Sequence, residues 1–233
     1  PIDAPTRVRA VPPGEAEAML DAVVGLEARV YEPARRDSKE KLGLAFRDPA
    51  GVAVVAEAER DGAWELVGCA LGAPLERIEG VPGADVDRMR PLRNSLYALS
   101  TTLDPTWRGH GLGRRMKEAL VDAAAAVRRP DGSPRYHYVC GRMRVGATGA
   151  MMAINAQLGA TEVYRLERQY EGDAQATYYR MPLRGPVVVP ARREAHAPAS
   201  AFRLGRPERL LDGAPRTLRQ LARRGGLEGP AVH

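Results

Sequence analysis

The segment that decides the fold is Arg108-Gly109-His110-Gly111-Leu112-Gly113, between the β-rich stretch 95–103 (SLYALSTTL) and a helical pattern. Its three glycines permit backbone dihedral angles that other residues avoid, and they let a ligand approach the chain closely. The first N–H groups of a helix lack intrahelical acceptors and carry partial positive charge. A glycine-rich turn at this position therefore predicts a cradle for a phosphate or pyrophosphate.

Three known phosphate-binding patterns can be compared with this segment. The Walker loop requires GxxxxGK[ST], and the segment contains no lysine. The Rossmann pattern GxGxxG requires a glycine where Arg114 stands. The pattern [RQ]xxGx[GA] fits through Arg108, Gly111 and Gly113. A purely structural turn is the alternative interpretation of so short a match.

Hydrophobic periodicity on both sides of the segment predicts a mixed α/β (α+β) fold. The sequence predicts strands at 6–11, 52–60, 64–75, 95–103, 135–144, 160–170 and 176–183, and helices at 15–31, 38–47, 112–127 and 148–158. Asp61-Gly62 predicts a hairpin turn, and residues 76–94 are predicted to form a polar loop. The order β-α-α-β-β-β-α-β-α-β-β lacks the regular alternation of a doubly wound sheet.

The segment and its surroundings resemble the GNAT superfamily of acetyltransferases. In that family [RQ]xxGx[GA] is the pyrophosphate loop, and residues 103–107 (LDPTW) resemble the V-x-P-x-x-R strand end that leads into it. Residues 151–160 (MMAINAQLGA) resemble the family's M-x-x-x-N-x-x-L-G-F segment. Thr148 and Ala160 depart from the pattern, because many members carry an asparagine and an aromatic residue there. The resemblance covers about residues 50–183, and more loosely 1–183.

The resemblance implies a GNAT acyltransferase fold, with a mostly antiparallel sheet splayed between its fourth and fifth strands and flanked by helices. Acetyl-CoA would enter the gap as co-substrate, without a metal ion. Its pantetheine amides would pair with the backbone at Thr101 and Leu103. Asn155 would hydrogen-bond the pantetheine end or the thioester, or would instead cap its helix. The other residues expected to bind acetyl-CoA are Arg108, Gly109, His110, Gly111, Leu112, Gly113 and Arg114.

The resemblance also implies a mechanism, in which an amine attacks the thioester directly and forms a tetrahedral intermediate. A backbone N–H near Leu103 would stabilise the oxyanion. Tyr170 is the first candidate for the acid that protonates the leaving thiolate, since residues 169–174 (QYEGDA) resemble the closing hairpin of protein N-terminal (ribosomal-alanine type) enzymes. Tyr164 is the second candidate, and both tyrosines could instead pack on the sheet.

The general base is not assigned by the sequence, because the strand 95–103 contains no glutamate. Four side chains on other predicted elements, or a water chain, are the candidates: Glu57, Glu65, Glu76 and His137. The two cysteines, Cys69 and Cys140, are expected to be buried strand thiols and not acyl-enzyme nucleophiles.

Composition limits the class of protein further. The 233 residues are 44% hydrophobic, enough for a sizeable core, and no stretch approaches a membrane span. Two cysteines without a Cys/His cluster predict neither a disulfide scaffold nor a structural zinc site. The absence of an apolar leader at the N-terminus and the preference for arginine over lysine lead us to expect a cytoplasmic, bacterial protein.

Charge separates the chain into a neutral body and a basic tail. The tail, 184–233, holds ten arginines and four acidic residues, which accounts for the net charge of +6. We expect a domain at 1–183, a Pro/Ala-rich linker at 184–206 and a basic extension at 207–233 with a helical pattern. A neutral body is not expected to bind DNA. Three roles remain open for the tail: a solvated extension, contact with RNA or a membrane surface, or docking on a second subunit in a homodimer.

Three functions follow from this sequence. The first is an acetyl-CoA-dependent N-acetyltransferase acting on a primary amine of a small molecule or peptide. The second is a transferase of the same fold that moves another acyl group or acts on a protein N-terminus or lysine. The third is a non-catalytic module that binds acyl-CoA as a sensor.

Overall fold

The structure of the protein is a computed structural model that describes residues 4–145, 149–170 and 174–183. Side chains are described for these residues except at 168–170 and 174. The expected linker at 184–206 and extension at 207–233 lie outside the described residues.

The described elements follow the predicted order. The strands are β1 (Thr6–Ala10), β2 (Val52–Arg60), β3 (Ala63–Pro74), β4 (Ser95–Leu103), β5 (Tyr138–Arg144), β6 (Thr161–Tyr170) and β7 (Ala174–Pro182). The helices are α1 (Ala16–Val30), α2 (Lys39–Arg47), α3 (Leu112–Ala126) and α4 (Gly149–Gln157). Asp61 and Gly62 have positive φ angles of 51° and 78°, as a tight hairpin turn between β2 and β3 requires.

The seven strands form one sheet in the order β1-β2-β3-β4-β5-β7-β6. Neighbouring strands are antiparallel, except that β4 and β5 are parallel. Because β5 and β4 are parallel, the chain must cross over between them, and it does so through α3. The mixed α/β layout that the sequence predicted and the mostly antiparallel sheet that the resemblance implied are therefore confirmed.

Helices cover both faces of the sheet. On one face α3 buries Met116 and Leu120 against apolar side chains of β2, β4, β5 and β7. On the other face α1 and α2 bury Leu20, Leu26 and Leu42 against β2 and β3. Each helix follows the amphipathic period that its sequence shows, because its apolar stripe faces the sheet.

The connection between β3 and β4 differs from the predicted polar loop. Although Val86 and Leu92 are exposed, several of its apolar side chains are buried in a small core that they share with strand residues, among them Leu75, Ile78 and Ala84. The carboxylate of Asp87 is buried with them, where it accepts hydrogen bonds from Tyr178 Oη at 3.0 Å and pairs with Arg180 at 2.6 Å. Polar sequence composition concealed this packing, since the apolar residues have no strand or helix period.

Candidate functional site

The sheet splits between β4 and β5. The two strands pair at only three positions, the last of which joins Tyr97 to Cys140, although β4 continues to Leu103 and β5 to Arg144. The pairing of β4 with β3 skips Leu99, so that Leu99 is an extra residue in a β-bulge. A bulge bends and twists its strand. It explains why the strands separate just beyond Tyr97, and the predicted splay is confirmed.

The edge of β4 that faces this gap carries unpaired backbone groups. Asp104 N donates to Val67 O of β3 at 2.9 Å. Since N–H and C=O groups alternate between the two sides of a strand, those of Leu103 and Thr101 point away from β3, toward the gap. Within the described part of the chain no strand pairs with this edge beyond Tyr97. An extended ligand could therefore add to β4 as a short strand does.

The glycine segment lies at the open end of the gap. Gly109 and Gly111 have φ angles of 85° and 78°, a conformation that glycine adopts without strain. Gly111 immediately precedes α3, and its carbonyl accepts the helical hydrogen bond from Arg115 N at 3.1 Å. The N–H groups of the first turn, from Leu112 onward, have no acceptor inside the helix. Their dipoles favour an anion at this position.

The approach to the cradle is held rigidly. A single 3-10 turn at Pro105–Trp107 connects β4 to the glycines, and Trp107 is buried in the core beneath α3. Asp104 accepts hydrogen bonds from the side chain of Thr106 at 2.7 Å and from its N–H at 2.9 Å. These hydrogen bonds hold the pKa of Asp104 below its usual value. These contacts hold the chain as far as Trp107, two residues before Gly109.

The basic side chains around the cradle differ in their exposure and in their hydrogen-bond partners. Arg108 and His110 are exposed. Arg114 is partly buried, lies 3.4 Å from Glu118 and donates a hydrogen bond to Gln157 of α4, which ties the start of α3 to α4. Arg108 is therefore the more available cation for a phosphate.

Asn155 lies on α4 with only 1% of its surface exposed. Its Nδ2 donates to the sulfur of Met143 on β5 at 2.8 Å, and its Oδ1 has no hydrogen-bond partner among the described residues. The side chain therefore does not cap the helix, which was the alternative role that the sequence offered for Asn155. A buried amide oxygen without a partner is costly, so this group is available to a ligand.

The structure places Tyr164, the second candidate for the acid, outside the gap. Tyr164 is 46% exposed on β6, which is separated from the gap by β7 and β5. Its ring lies near the loop at Gly83. Tyr170 ends β6, and its side chain lies outside the described part of the chain. The role of acid for either tyrosine stays a prediction.

The glutamates that the sequence offered as bases are held by arginines away from the gap. Glu65 pairs with Arg60 at 3.4 Å, and Glu76 pairs with Arg135 at 2.5 Å. Glu57 lies on β2 and pairs with two arginines of β1. Burial alone would raise the pKa of Glu57, but the arginine hydrogen bonds outweigh it and lower the pKa.

His137 precedes β5 at the closed end of the gap, where the pairing with β4 begins. It is therefore separated from the open edge of β4 by the paired residues. Of the four candidate bases that the sequence named, the structure places none beside that edge.

A carboxylate that the sequence analysis missed reaches β4 from the other side. Glu27 lies on α1 with 2% of its surface exposed. Its Oε1 accepts hydrogen bonds from Ser100 at 2.5 Å and Thr102 at 3.0 Å, and its Oε2 accepts one from Asp37 N at 3.2 Å. The signal was present in the sequence, because Glu27 continues the buried stripe of Leu20 and Val23 at helical spacing.

A cavity of about 240 Å³ adjoins the split on the α2 face of the sheet. Tyr97 and Arg142 line it from the two separating strands, and Tyr97 Oη accepts a hydrogen bond from Arg142 Nε at 3.2 Å. Burial raises the pKa of Tyr97. The remaining lining residues come from α2 and the loop after β3: Lys41, Leu44, Arg77, Ile78, Glu79, Gly80 and Val81.

The cysteines are unsuited to nucleophilic chemistry. Cys69 and Cys140 are buried, and burial raises the pKa of each thiol to about 12. For Cys69 the charge of Glu27 adds to this effect. A thiol must ionise to attack, so an acyl-cysteine intermediate is disfavoured. Among the described residues, no group of three or more His, Cys, Asp or Glu side chains is placed to hold a metal ion.

Comparison with known proteins agrees with this geometry. Residues 20–130 match the sequence model of the family described as "Acetyltransferase (GNAT) family". No curated protein matches the sequence significantly. In the part of the chain that the structure describes, no helix is both long and apolar enough to cross a membrane.

Three solved structures show the same fold. Arabidopsis thaliana NAA60 with a bisubstrate analogue has a TM-score of 0.57 at 15% identity, covering 78% of this chain and 99% of that one. The putative acetyltransferase yncA of Salmonella typhimurium, with acetyl-CoA, has a TM-score of 0.55 at 14% identity and covers 81% and 99%. The ribosomal-protein-S18-alanine N-acetyltransferase of Escherichia coli has a TM-score of 0.52 at 16% identity and covers 77% and 94%.

Proposed function

We propose that this chain is a member of the GNAT acetyltransferase family, whose sequence model matches residues 20–130, and that it transfers an acetyl group from acetyl-CoA to a primary amine by direct attack. The observation that carries the proposal is the alignment of two features along one gap. An unpaired strand edge at Thr101–Leu103 leads directly into a glycine cradle at the start of α3. The strand edge would bind amides and the glycine cradle would bind a diphosphate, in the order in which the pantetheine and the pyrophosphate follow each other in CoA.

The residues present fit acetyl-CoA. The N–H groups of 109–113 would hold the pyrophosphate, and exposed Arg108 would neutralise part of its charge. Thr101 and Leu103 would pair with the pantetheine amides. Asn155 Oδ1, buried without a described partner, would accept a hydrogen bond from the pantetheine end.

Acetyl-CoA supplies the activated acyl group as a thioester. The chain must hold the thioester carbonyl where a donor can stabilise negative charge on its oxygen, and the N–H of Leu103, which points toward the gap, would be that donor. The amine would enter on the α2 face, through the cavity beside Tyr97 and Arg142. That cavity suits a small amine or the terminal residue of a peptide, and its volume does not distinguish between them.

Turnover with a panel of acceptors tests this proposal. Purified protein is mixed with acetyl-CoA and, separately, with small primary amines, peptides with free N-termini and lysine peptides; free CoA and acceptor mass are measured. We expect amine-dependent CoA release with stoichiometric acetylation of an acceptor. Release with longer acyl-CoAs alone would favour a different donor. Saturable acetyl-CoA binding without transfer to any acceptor would contradict the proposal and favour a sensor.

A further inference from the structure

Glu27 carries a buried carboxylate that the packing of α1 on the sheet does not itself require. No ion pair to Glu27 is found in the described part of the chain, and its three hydrogen bonds come from uncharged donors. A buried charge without a countercharge costs several kcal/mol. A glutamine could accept from Ser100 and Thr102 at a lower cost, so a purely structural role does not account for the charge.

Glu27 is positioned toward the reacting side of the gap. Ser100 and Thr102 lie beyond the Leu99 bulge, in the part of β4 that has separated from β5. Leu99 packs against both the α1–α2 core and the small core beside Tyr97 that borders the acceptor cavity. The side chains of Ser100 and Thr102 therefore lie on the face from which the amine would enter.

Of the two hydroxyl groups on β4 that donate to Glu27, only that of Ser100 belongs to a partly exposed residue. Glu27 and Thr102 are 2% and 0% exposed, whereas Ser100 is partly exposed. The hydroxyl of Ser100 directs its proton to Glu27 Oε1 at 2.5 Å, which leaves an oxygen lone pair of Ser100 free to accept another proton. Ser100 is thus the group through which a proton from a ligand on this face could reach the buried carboxylate.

We propose that Ser100 and Glu27 form the proton acceptor for the incoming amine. The ammonium group gives one proton to Ser100 Oγ while Ser100 gives its hydroxyl proton to Glu27, so the amine becomes neutral and Glu27 becomes a carboxylic acid. The neutral amine forms the C–N bond, and the C–S bond breaks. The amine's second proton goes to the CoA thiolate, and Glu27 returns its proton to solvent through Ser100. Ser100 is the catalytic residue and Glu27 a positioning residue that acts through it.

This inference rests on the proposed function, and two variants test it. Ser100→Ala breaks the relay, and Glu27→Gln keeps its shape but removes the proton acceptor. We expect kcat/KM for the amine to fall about 100-fold in each variant, as for loss of general base catalysis. The double variant should be no slower than either single variant, because the two groups act in series.

The pH dependence of the rate distinguishes a proton relay from a structural role, because loss of a structural contact alone would not change it. Without the relay, only amine that is already neutral in solution can react. In both variants the remaining rate should therefore increase with pH up to the pKa of the acceptor's ammonium group, while KM for acetyl-CoA stays unchanged. Ser95→Ala is the matched control, since Ser95 is a buried serine at the paired end of β4. It should retain the wild-type rate and profile.

The outcomes separate this inference from the function on which it depends. Wild-type activity with unchanged kcat/KM and pH profile in Ser100→Ala and Glu27→Gln would overturn the relay and leave acetyl transfer intact. A loss of rate accompanied by a lower melting temperature and an unaltered pH profile would also overturn it. Absence of transfer by the wild-type protein would overturn both.

Discussion

At Asn155 we expect one substitution to stabilise the protein and to weaken its binding of acetyl-CoA. Its buried Oδ1 has no described partner, and its Nδ2 reaches only a methionine sulfur. Replacing it with leucine, Asn155→Leu, removes an unsatisfied polar group, so we expect the free energy of unfolding to rise by about 1 kcal/mol. The same change removes a hydrogen bond to acetyl-CoA and should raise its Kd about 10-fold.

Thermal melts and calorimetric titration of the same samples would measure both effects. A variant that is more stable and binds acetyl-CoA as tightly as wild type would show that Asn155 has no contact with the ligand. Met152→Leu serves as a control on the same helix, because Met152 is an exposed apolar residue and should change neither quantity.

Single residues mark the limit of what the sequence could predict. The glycine pattern named Gly109 and Gly111 correctly as positions with unusual dihedral angles, because those angles depend on local chemistry. Glu27 could not be paired with Ser100, since 73 residues separate them and no local pattern connects α1 with β4. A glutamate within an apolar helical stripe was the available signal, and it indicates burial without naming the partner.

Among the elements, β4 shows how a short irregularity determines a site. Its sequence, SLYALSTTL, predicts a strand of the observed length. The bulge at Leu99 is not visible in that sequence, because strand residues of the same types continue on both sides of it. The family resemblance predicted that β4 and β5 separate, and the bulge at Leu99 is the physical cause of that separation.

The loop between β3 and β4 should depend on one buried carboxylate. Asp87→Ala removes the acceptor for Tyr178 and the ion-pair partner of Arg180, and it leaves a partly buried cation unpaired. We expect a loss of about 3 kcal/mol in the free energy of unfolding. Denaturant titration measures it.

Asp85→Ala is the matched control for this prediction, because Asp85 is an exposed aspartate in the same loop and no ion pair to it is described. It should stay within about 0.5 kcal/mol of wild type. Equal effects of the two substitutions would show that the buried Asp87 cluster does not hold the loop.

At the scale of the whole molecule, the order of elements and the composition of the sheet could be predicted because each strand and helix has its own period. The side of the gap from which each ligand would enter could not be predicted from the sequence, because it depends on contacts between α1, α2 and β4. Chain segments distant in sequence form both the cavity beside Tyr97 and the cluster of Glu27, Ser100 and Thr102.

The neutral body and the basic tail predict separable roles. We expect a chain that ends at Arg184 to retain acetyl transfer to a free small amine, because every candidate site residue lies before residue 184. Steady-state kinetics on the shortened and full chains would measure this. Complete loss of activity in a shortened chain with an unchanged melting temperature would show that the tail belongs to the active site.

The central claim is that the backbone at 109–113 binds the diphosphate of acetyl-CoA, and the most direct measurement is the Kd of acetyl-CoA for Gly111→Asp. Gly132→Asp is the matched control, since Gly132 has a φ of 80° against 78° at Gly111 and neither position has a neighbour within 4 Å of an added Cβ. Both variants therefore accept the same strain, and only Gly111→Asp adds negative charge to the cradle.

Calorimetric titration should give the same Kd for wild type and Gly132→Asp, and a Kd at least about 100-fold higher for Gly111→Asp, because a carboxylate would repel the diphosphate and occupy its place. Equal binding of acetyl-CoA by all three proteins would contradict the claim.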